Sequence, residues 1–187
     1  MSTLAQLGKW DNENRRRKRL HYNYSGNTVS MTSRILTRQD LVRLAEELRA
    51  AGKRIVTTNG CFDILHVGHV RVLQAAKDLG DVLIVGVNSD ESVRKLKGPT
   101  RPVNSEADRA EVLANLKSVD YVTVFGEETA SELLECIKPH IYAKGADYTT
   151  SSLPETPTVQ SYGGEIAFLE LVPGKSTSAI VAKIQQP

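Results

Sequence analysis

The sequence predicts an α/β protein built on one parallel β-sheet of five strands. Short segments rich in apolar and β-branched residues alternate along the chain with helical patterns, and this alternation is typical of strands joined by helical crossovers. The segment 81–87 is apolar at nearly every position, as expected for a parallel strand covered on both faces. The other predicted strands are 54–58, 119–125, 141–143 and 165–171.

Capping residues and apolar stripes predict the helices between these strands. Thr37 is a good N-cap for a helix that carries Leu41, Leu44 and Leu48 on one face and ends at Gly52. Further helices are predicted to start before Val70, at Ser105, at a capping box of Thr129 and Glu132, and at Ser176 or Thr177. Loops are expected over the basic segment 94–103 and the Ser/Thr/Pro-rich segment 149–158.

Composition narrows the class of protein. The 187 residues suffice for one domain with a substantial core and an appendage. No apolar run approaches the ~20 residues that a membrane span needs, so no membrane partner is expected. The two cysteines, Cys61 and Cys136, form no disulfide pattern, which favours a reducing, cytoplasmic location.

Residues 1–33 differ in character from the rest of the chain. They contain a run of five cations at 15–19, several Asn and Ser residues and no sustained apolar period, a composition that predicts a disordered basic N-terminal extension. Such a run can bind RNA or an acidic surface, but a solvated tail is the simpler interpretation, so no nucleic-acid partner is expected. The folded domain is predicted over 34–187.

The turn after the first predicted strand carries the most informative motif, GCFDILHVGH at residues 60–69. His66 and His69 are three apart, so within a helix they share a face and can direct ring nitrogens at one ligand. Gly60 suits a tight turn, and Gly68 removes a side chain that would keep a phosphate from the backbone. Because a strand-to-helix turn presents free N–H groups to an anion, the motif predicts a phosphate site.

Two other interpretations of the motif remain open. His66 and His69 can be zinc ligands with Cys61 nearby, but a structural zinc site takes four ligands, and few other candidates exist along the chain. The glycine-rich turn can also be a purely structural helix start. No metal site is predicted.

The motif resembles throughout the signature of the nucleotidyltransferase superfamily of cytidylyltransferase-like enzymes, and the resemblance extends over about residues 34–185. It implies a Rossmann-like, doubly wound sheet with flanking helices, and a reaction that joins an NTP to a phosphorylated small molecule with release of pyrophosphate. The segments LKGPTRPVN (96–104), KGADY (144–148), YGGE (162–165) and GKST (174–177) are most similar to those of the family of adenylyltransferases that make ADP-heptose from D-glycero-β-D-manno-heptose 1-phosphate.

The basic segment 94–103 follows the second predicted strand at the ligand edge of the sheet. The implied reaction brings two anions together, so lysine and arginine must supply compensating charge. Lys95, Lys97 and Arg101 are the candidates, with Lys97 first. Arg109 lies one helical turn after Ser105, where the family has a phosphate-binding arginine, although an ion pair with Glu106 or Asp108 competes.

The resemblance assigns the remaining site residues. Catalytic roles are implied for His66, His69, Lys97 and Arg109. Nucleotide binding is implied for Asn59, Gly60, Phe62, Gly68, Lys144, Gly145, Asp147, Ser176 and Thr177. Asp63, Lys95 and Arg101 are expected at the acceptor substrate, with Asp63 orienting either the acceptor or the turn.

The resemblance also implies partners and leaves alternatives. ATP and Mg²⁺, a sugar phosphate, a homodimer and a separate sugar kinase in the same pathway are expected, in a route to lipopolysaccharide core precursors. The phosphate-binding motifs do not select a base, so a cytidylyltransferase for glycerol-, ethanolamine- or choline-phosphate is the alternative enzyme. A catalytically silent nucleotide-binding module is the alternative outside catalysis.

Overall fold

Five parallel strands form one sheet in the computed structural model, which describes residues 34–185. The predicted basic extension, residues 1–33, lies outside the described residues. The strands are β1 (Ile55–Gly60), β2 (Val82–Asn88), β3 (Tyr121–Phe125), β4 (Ile141–Gly145) and β5 (Glu165–Leu169). Their lateral order is β3-β2-β1-β4-β5.

The strand order places a switch point between β1 and β4. The chain builds outward from β1 through β2 to β3, and then crosses to the other side of β1 to form β4 and β5. Thr57 pairs with Tyr142 across this junction, and Thr58 pairs with Val85 on the other side of β1. The predicted Rossmann-like, doubly wound sheet is therefore confirmed. In such sheets ligands bind outside the carboxyl ends of the strands at the switch point.

Seven helices connect or flank the strands in the part of the chain that the structure describes. They are α1 (Arg38–Ala50), α2 (Val67–Lys77), α3 (Asp90–Lys97), α4 (Glu106–Ala114), α5 (Ser131–Ile137), α6 (Thr156–Ser161) and α7 (Thr177–Ile184). The predicted caps Thr37, Ser105 and Ser176 each accept a backbone N–H of the first turn at 3.1 to 3.2 Å. Within residues 34–185 no helix is long and apolar enough to cross a bilayer.

The sheet buries a separate apolar layer on each face. Leu73 of α2 and Leu113 of α4 pack on one face against Val85. Helices α1, α5 and α6 cover the other face, where Leu41 and Ile84 are buried. Neighbouring residues of a strand point to opposite faces, which explains why both Ile84 and Val85 are apolar.

The basic segment predicted as a loop over 94–103 is helical in its first part, so that prediction is wrong up to Lys97. Ser89 caps α3 by accepting the N–H of Ser92 at 3.2 Å. The helix has acidic residues in its first turn and basic residues in its last turn, an order that complements the helix dipole. Gly98, with φ of 96°, ends the helix, and the loop begins there.

The predicted capping box of Thr129 and Glu132 does not form. Helix α5 begins one residue later than that box requires, with Ala130 as its N-cap residue. The Ala130 N–H is instead bound by the carboxylate of Glu155, whose Oε1 lies 3.0 Å away. The loop predicted over 149–158 is correspondingly shorter, because α6 starts at Thr156 with a proline in its first turn, a position that proline tolerates.

Residues 34–36 cover the outer edge of β3. The Leu36 N–H donates to the Val122 carbonyl at 2.8 Å, and the Val122 N–H donates to the Arg34 carbonyl at 2.8 Å. The Arg34 guanidinium also donates to the Ala114 carbonyl at 3.1 Å. This short segment pairs in parallel with β3 and protects its edge.

We expect Gly86→Ala to destabilise the fold, because a methyl group there would lie 2.7 Å from Leu133 Cδ2 and 3.2 Å from Asn59 Cβ. Overpacking of this kind typically costs about 1–3 kcal/mol in free energy of unfolding. The matched control is Gly126→Ala, whose added methyl would meet its nearest atom, Ser89 Oγ, at 3.6 Å. Urea unfolding followed by circular dichroism measures both, and equal losses would contradict the packing argument.

Candidate active site

The chain leaves β1 through a tight turn at the switch point. Phe62 adopts a left-handed backbone conformation with φ of 46°. A Cβ on Gly60 would lie 3.2 Å from the Phe62 ring, so the glycine makes room for that ring. Phe62 then packs edge-on against His69, with ring centroids 5.3 Å apart. The turn thus places the Phe62 ring against one side of the histidine pair.

The two histidines stack at the start of α2. His66 is the N-cap residue with extended backbone, and His69 lies in the first turn. Their ring centroids are 3.9 Å apart and their planes differ by 19°. The predicted shared face is therefore confirmed, and both rings stand beside the free N–H groups of the helix start.

Gly68 is required by the first histidine. A Cβ at this position would lie 2.8 Å from His66 Nδ1 and 3.3 Å from the Lys175 Cβ. The space that a side chain would occupy is therefore filled by the His66 ring. The sequence predicted a glycine that lets a phosphate approach the backbone, whereas the structure gives it the role of seating His66.

Burial keeps both imidazoles uncharged near neutral pH. Burial, with a smaller contribution from His66, lowers the pKa of His69 to about 4. Burial and the Lys175 ammonium lower the pKa of His66. The Nδ1 atoms of both rings are buried without a hydrogen-bond partner within residues 34–185. An anion bound beside the rings would favour their protonated forms.

The other half of the site comes from the C-terminal motif at 174–177. Ser176 caps α7, and its Oγ accepts the Ala179 N–H at 3.1 Å. The Thr177 hydroxyl donates to the Ile64 carbonyl at 3.2 Å, across 113 positions of sequence. Lys175 comes close to Gly68. The structure therefore brings the start of α7 against the histidine turn.

A cluster of polar side chains lies at the ends of β1 and β4, on the other side of the switch point. Asn59 Oδ1 accepts hydrogen bonds from the Tyr142 hydroxyl at 2.5 Å and from Lys144 Nζ at 3.2 Å. Lys144 also lies over the Tyr148 ring, 5.0 Å from its centroid. Burial lowers the pKa of Lys144. Since the Asn59 oxygen is engaged twice, its amide nitrogen is the atom that remains for a ligand.

Gly145 and Asp147 follow this group. A Cβ on Gly145 would lie 2.6 Å from Asp147 Oδ1 and 2.9 Å from Leu171 Cδ2. The glycine therefore lets the Asp147 carboxylate and Leu171 approach the strand end. Asp147 itself is exposed.

Asp63 holds the turn to the loop that follows α3. Its side chain is buried, and its Oδ1 accepts the backbone N–H groups of Val103 at 2.7 Å and Asn104 at 3.1 Å. Its Oδ2 accepts a hydrogen bond from Arg101 Nε at 2.5 Å. Both carboxylate oxygens are thus occupied. Of the two roles predicted for Asp63, these contacts favour orienting the turn, and they engage Arg101 in the same task.

Arg109 is a buried crosslink between three segments. Its side chain is 1% exposed. Nη1 donates to the Cys61 carbonyl at 2.5 Å, Nε donates to the Asn104 carbonyl at 3.1 Å, and Nη2 donates to Asp90 Oδ1 at 2.7 Å. These contacts make Arg109 a positioning residue for the motif turn, and a direct phosphate contact stays a prediction.

The alternative ion pair of Arg109 with Glu106 or Asp108 does not form, because the partner of Arg109 is Asp90. Glu106 instead accepts the Asp90 N–H at 2.7 Å, and Asp108 accepts a hydrogen bond from the Ser105 hydroxyl. Sequence reasoning missed Asp90. The available signal was its place just after β2, at the ligand edge of the sheet.

The predicted lysines of α3 separate in space. Lys95 pairs with Glu91 at 2.7 Å on an exposed surface, with both side chains 71% exposed, a kind of pair that contributes little to stability. Lys97 is exposed at the end of the helix, and its positive charge acts on the Cys61 thiol in the motif turn. Of the two α3 lysines, Lys97 is the one whose charge acts on a residue of the motif turn.

The residues around the histidine pair do not fit a protein-held Mg²⁺ site. Mg²⁺ prefers carboxylate, water and phosphate oxygens, whereas the groups here are imidazoles, a lysine and hydroxyls. Across residues 34–185 no cluster of three or more His, Cys, Asp or Glu side chains is placed to hold a metal ion.

A family model described as cytidylyltransferase-like matches residues 57–180. The match runs from β1 into α7 and therefore includes both halves of the site. The chain belongs to the cytidylyltransferase-like family, and the predicted nucleotidyltransferase class is confirmed.

Individual relatives show which members of the family the chain is similar to. The bifunctional protein HldE of Syntrophotalea carbinolica is 47% identical over 165 residues, which cover 88% of this chain and 34% of that protein. HldE of Pelobacter propionicus is 51% identical over 152 residues, 81% of this chain and 31% of that protein. The chain thus spans about a third of the length of these relatives.

Among solved structures, the lipopolysaccharide core biosynthesis protein from Thermoplasma volcanium GSS1 is similar, with a TM-score of 0.55 and 29% sequence identity. The alignment covers 65% of this chain and 98% of that one.

We expect the two motif histidines to titrate below the ordinary range, with His69 near pH 4. The unfolded chain takes up a proton at His69 near pH 6.5, while the folded protein does so only near 4. The contribution of His69 to stability therefore falls as the pH falls from 6.5 toward 4. NMR titration, assigned with His66→Ala and His69→Ala, measures both values. The same rings in urea are the control, and a folded-state value near 6.5 would contradict the burial argument.

Proposed function

We propose that the protein is an adenylyltransferase that transfers AMP from ATP to D-glycero-β-D-manno-heptose 1-phosphate, giving ADP-heptose and pyrophosphate. The observation that carries this proposal is the stacked, uncharged His66–His69 pair at the start of α2, with the start of α7 against it. The 47–51% identity to HldE proteins supports the heptose acceptor.

The proposed reaction is an in-line displacement without a covalent enzyme intermediate. An oxygen of the acceptor phosphate attacks the α-phosphorus of ATP, a new P–O bond forms, and the bond from the α-phosphorus to the bridging oxygen breaks. Pyrophosphate leaves with the electron pair of that bond. The acceptor phosphate is already anionic, so no general base is needed, and catalysis consists of positioning and electrostatic stabilisation.

The histidine pair meets the charge that develops in this displacement. Neutral His66 and His69 stack without mutual repulsion in the free protein, and the triphosphate favours their protonation as negative charge grows on the bridging oxygen. The free N–H groups at the start of α2 add a fixed positive potential. Lys97, exposed at the end of α3, supplies a mobile charge for the phosphates.

Other residues hold or complete this arrangement. Arg109 and Asp63 fix the turn on which the histidines sit. Asn59 and Lys144 present an amide nitrogen and an ammonium group on the far side of the switch point, where they suit phosphate oxygens or sugar hydroxyls. Ser176 and Thr177 place the start of α7 beside the nucleotide. Mg²⁺ enters as part of the MgATP substrate.

The proposal extends to partners. The HldE relatives are named bifunctional and are about three times as long as the aligned region, and we propose that a sugar kinase of the same pathway supplies the heptose 1-phosphate. We further propose a homodimer that works in the cytoplasm, where ATP is available.

Pyrophosphate release from the full chain tests the function. We expect release with ATP and D-glycero-β-D-manno-heptose 1-phosphate, and not with CTP. His66→Ala and His69→Ala should each lower kcat/KM by roughly 10²- to 10³-fold, as loss of one preorganised donor does.

His140→Ala is the matched control for these variants. The His140 Nδ1 accepts the Ile55 N–H at 3.0 Å at the opposite end of β1, so its loss should cost stability while kcat/KM stays within about threefold. Release with CTP and glycerol-, ethanolamine- or choline-phosphate would favour the cytidylyltransferase named by the family description. Unchanged turnover in His69→Ala would refute the catalytic assignment.

A second prediction concerns Gly68→Ala, which keeps both imidazoles and moves one. The added methyl would lie 2.8 Å from His66 Nδ1, so the ring must shift, and misplacement of about 1 Å can cost about 10²-fold in rate. Alanine favours a helix more than glycine does, so α2 should remain intact by circular dichroism. Val67→Ala, at an exposed neighbour, should keep its activity. Full activity of Gly68→Ala would show that the stacked geometry is dispensable.

A further inference from the structure

Strand β4 ends in an arrangement that the mechanism above leaves unexplained, in which a lysine ammonium lies between two tyrosine rings. Lys144 Nζ is 5.7 Å from the centroid of the Tyr142 ring and 5.0 Å from the centroid of the Tyr148 ring. Both distances are within the range of a cation–π contact. Aromatic rings that surround one positive charge are also the means by which proteins bind alkylammonium ligands, but here the cation belongs to the chain itself.

The sequence of β4 and of the turn after it produces this arrangement. Tyr142 and Lys144 are two positions apart on the strand, so their side chains leave the same face of the sheet. The following turn brings Tyr148 back to Lys144, and the Tyr148 N–H donates to the Gly145 carbonyl at 3.1 Å. The strand therefore supplies one ring and the turn supplies the other.

Two hydrogen bonds connect this arrangement with the motif turn. Lys144 Nζ donates to Asn59 Oδ1 at 3.2 Å, and the Tyr142 hydroxyl donates to the same oxygen at 2.5 Å. Asn59 directly precedes Gly60 in β1, and the motif GCFDILHVGH starts at Gly60. The ammonium therefore lies at the switch point, where sheets of this kind bind their ligands.

The two rings differ in exposure. Tyr142 is fully buried, whereas 38% of Tyr148 is exposed. Lys144 is half-buried between them. A substrate can therefore reach the ammonium and the Tyr148 ring, while Tyr142 supports the ammonium from the interior.

The partners of Lys144 favour its charged form. The Asn59 oxygen and the two ring faces are electron-rich, and none of them donates a hydrogen bond to the amine. Burial lowers the pKa of Lys144, and Glu155 and Asp147 oppose this effect. An ammonium has three N–H groups, of which Asn59 uses one. The others can serve hydroxyl or phosphate oxygens of a substrate.

A resident cation at this place discriminates among phosphorylated acceptors by the charge of their headgroups. Choline and ethanolamine carry a positive charge, which the Lys144 ammonium repels at close range. The ring faces that would attract such a headgroup are already occupied. A sugar carries uncharged hydroxyl groups, whose oxygens accept hydrogen bonds from the ammonium.

We propose that Lys144 is a specificity-determining residue: it fills a cation site formed by Tyr142 and Tyr148, and it thereby excludes acceptors with an ammonium headgroup and favours acceptors with an uncharged, hydroxylated headgroup. This inference rests on the proposed function and names the property by which the site selects its acceptor. The phosphate is common to both classes of acceptor and does not distinguish them.

The test compares choline phosphate with 3,3-dimethylbutyl phosphate, which has the same shape but carries a carbon atom in place of the charged nitrogen. Isothermal titration calorimetry with the full chain measures the Kd of each ligand. We expect the native protein to bind choline phosphate more weakly than the neutral analogue. In Lys144→Ala, which removes the cation and leaves both rings, the order should reverse, with choline phosphate favoured by roughly tenfold.

Two further variants separate the effect of the rings from that of the charge. Lys144→Met keeps an unbranched side chain between the rings without its charge, so the two ligands should bind about equally. Lys144→Ala combined with Tyr148→Leu also removes the exposed ring, so the preference for choline phosphate should be lost.

Lys53→Ala is the matched control for the change in net charge. Lys53 is exposed just before β1, at the opposite end of that strand from Asn59. Its removal should leave the relative affinity for the two ligands as it is in the native protein.

The proposal is overturned if Lys144→Ala does not bind choline phosphate more tightly than the neutral analogue, or if the native protein already does. If the heptose phosphate is not adenylylated but the order of affinities reverses, the assigned reaction fails while the cation site is supported. If ADP-heptose forms and the order does not reverse, the reaction stands and the role of Lys144 in specificity is refuted.

Discussion

The buried guanidinium of Arg109 is the interaction on which the site depends. It joins the turn after β1, the loop before α4 and the start of α3 by donating to Cys61, Asn104 and Asp90. Removing it would take one donor from each of two carbonyls and a carboxylate at the same time. The turn carries the stacked histidines, so their separation of 3.9 Å depends on a residue that lies 40 positions after His69. Asp63 secures the same loop from the other side of the turn.

Sequence patterns predicted correctly those strands and helix starts whose structure is determined by neighbouring residues in the chain. Strand β2, inside the sheet, is apolar on both faces. The cap residues of α1, α4 and α7 lie only three positions from the N–H groups they bind. Helix α3 was missed because its sequence, DESVRKLK, has two apolar residues, Val93 and Leu96, too few to form a recognisable apolar stripe in a basic segment. The start of α5 was placed wrongly because the carboxylate that binds the N–H of its N-cap residue, Ala130, belongs to Glu155, 25 positions away.

The site, too, has some features that follow from local spacing and others that follow from tertiary packing. Spacing alone predicts that His66 and His69 share a face, since both belong to one helix start. The partners of Arg109 and Asp63 are set by how three loops pack on the sheet edge, which no spacing encodes. The role of Gly68 was also hidden, because the contact that forbids a side chain there is made by a ring two positions earlier. The motifs therefore predicted candidate groups, whereas the contacts that hold those groups in place are seen only in the structure.

The short segment of residues 34–36 gives the sheet two unequal edges. It pairs with the outer side of β3, whereas no strand of residues 34–185 pairs with the outer side of β5. An unpaired strand edge is a template on which another extended chain can add. A version of the protein shortened to begin at residue 38 would keep every residue of the site and yet uncover a second edge. The position of a truncation therefore affects self-association and solubility as well as folding. A shortened protein that starts at residue 34 retains the pairing of residues 34–36 with β3.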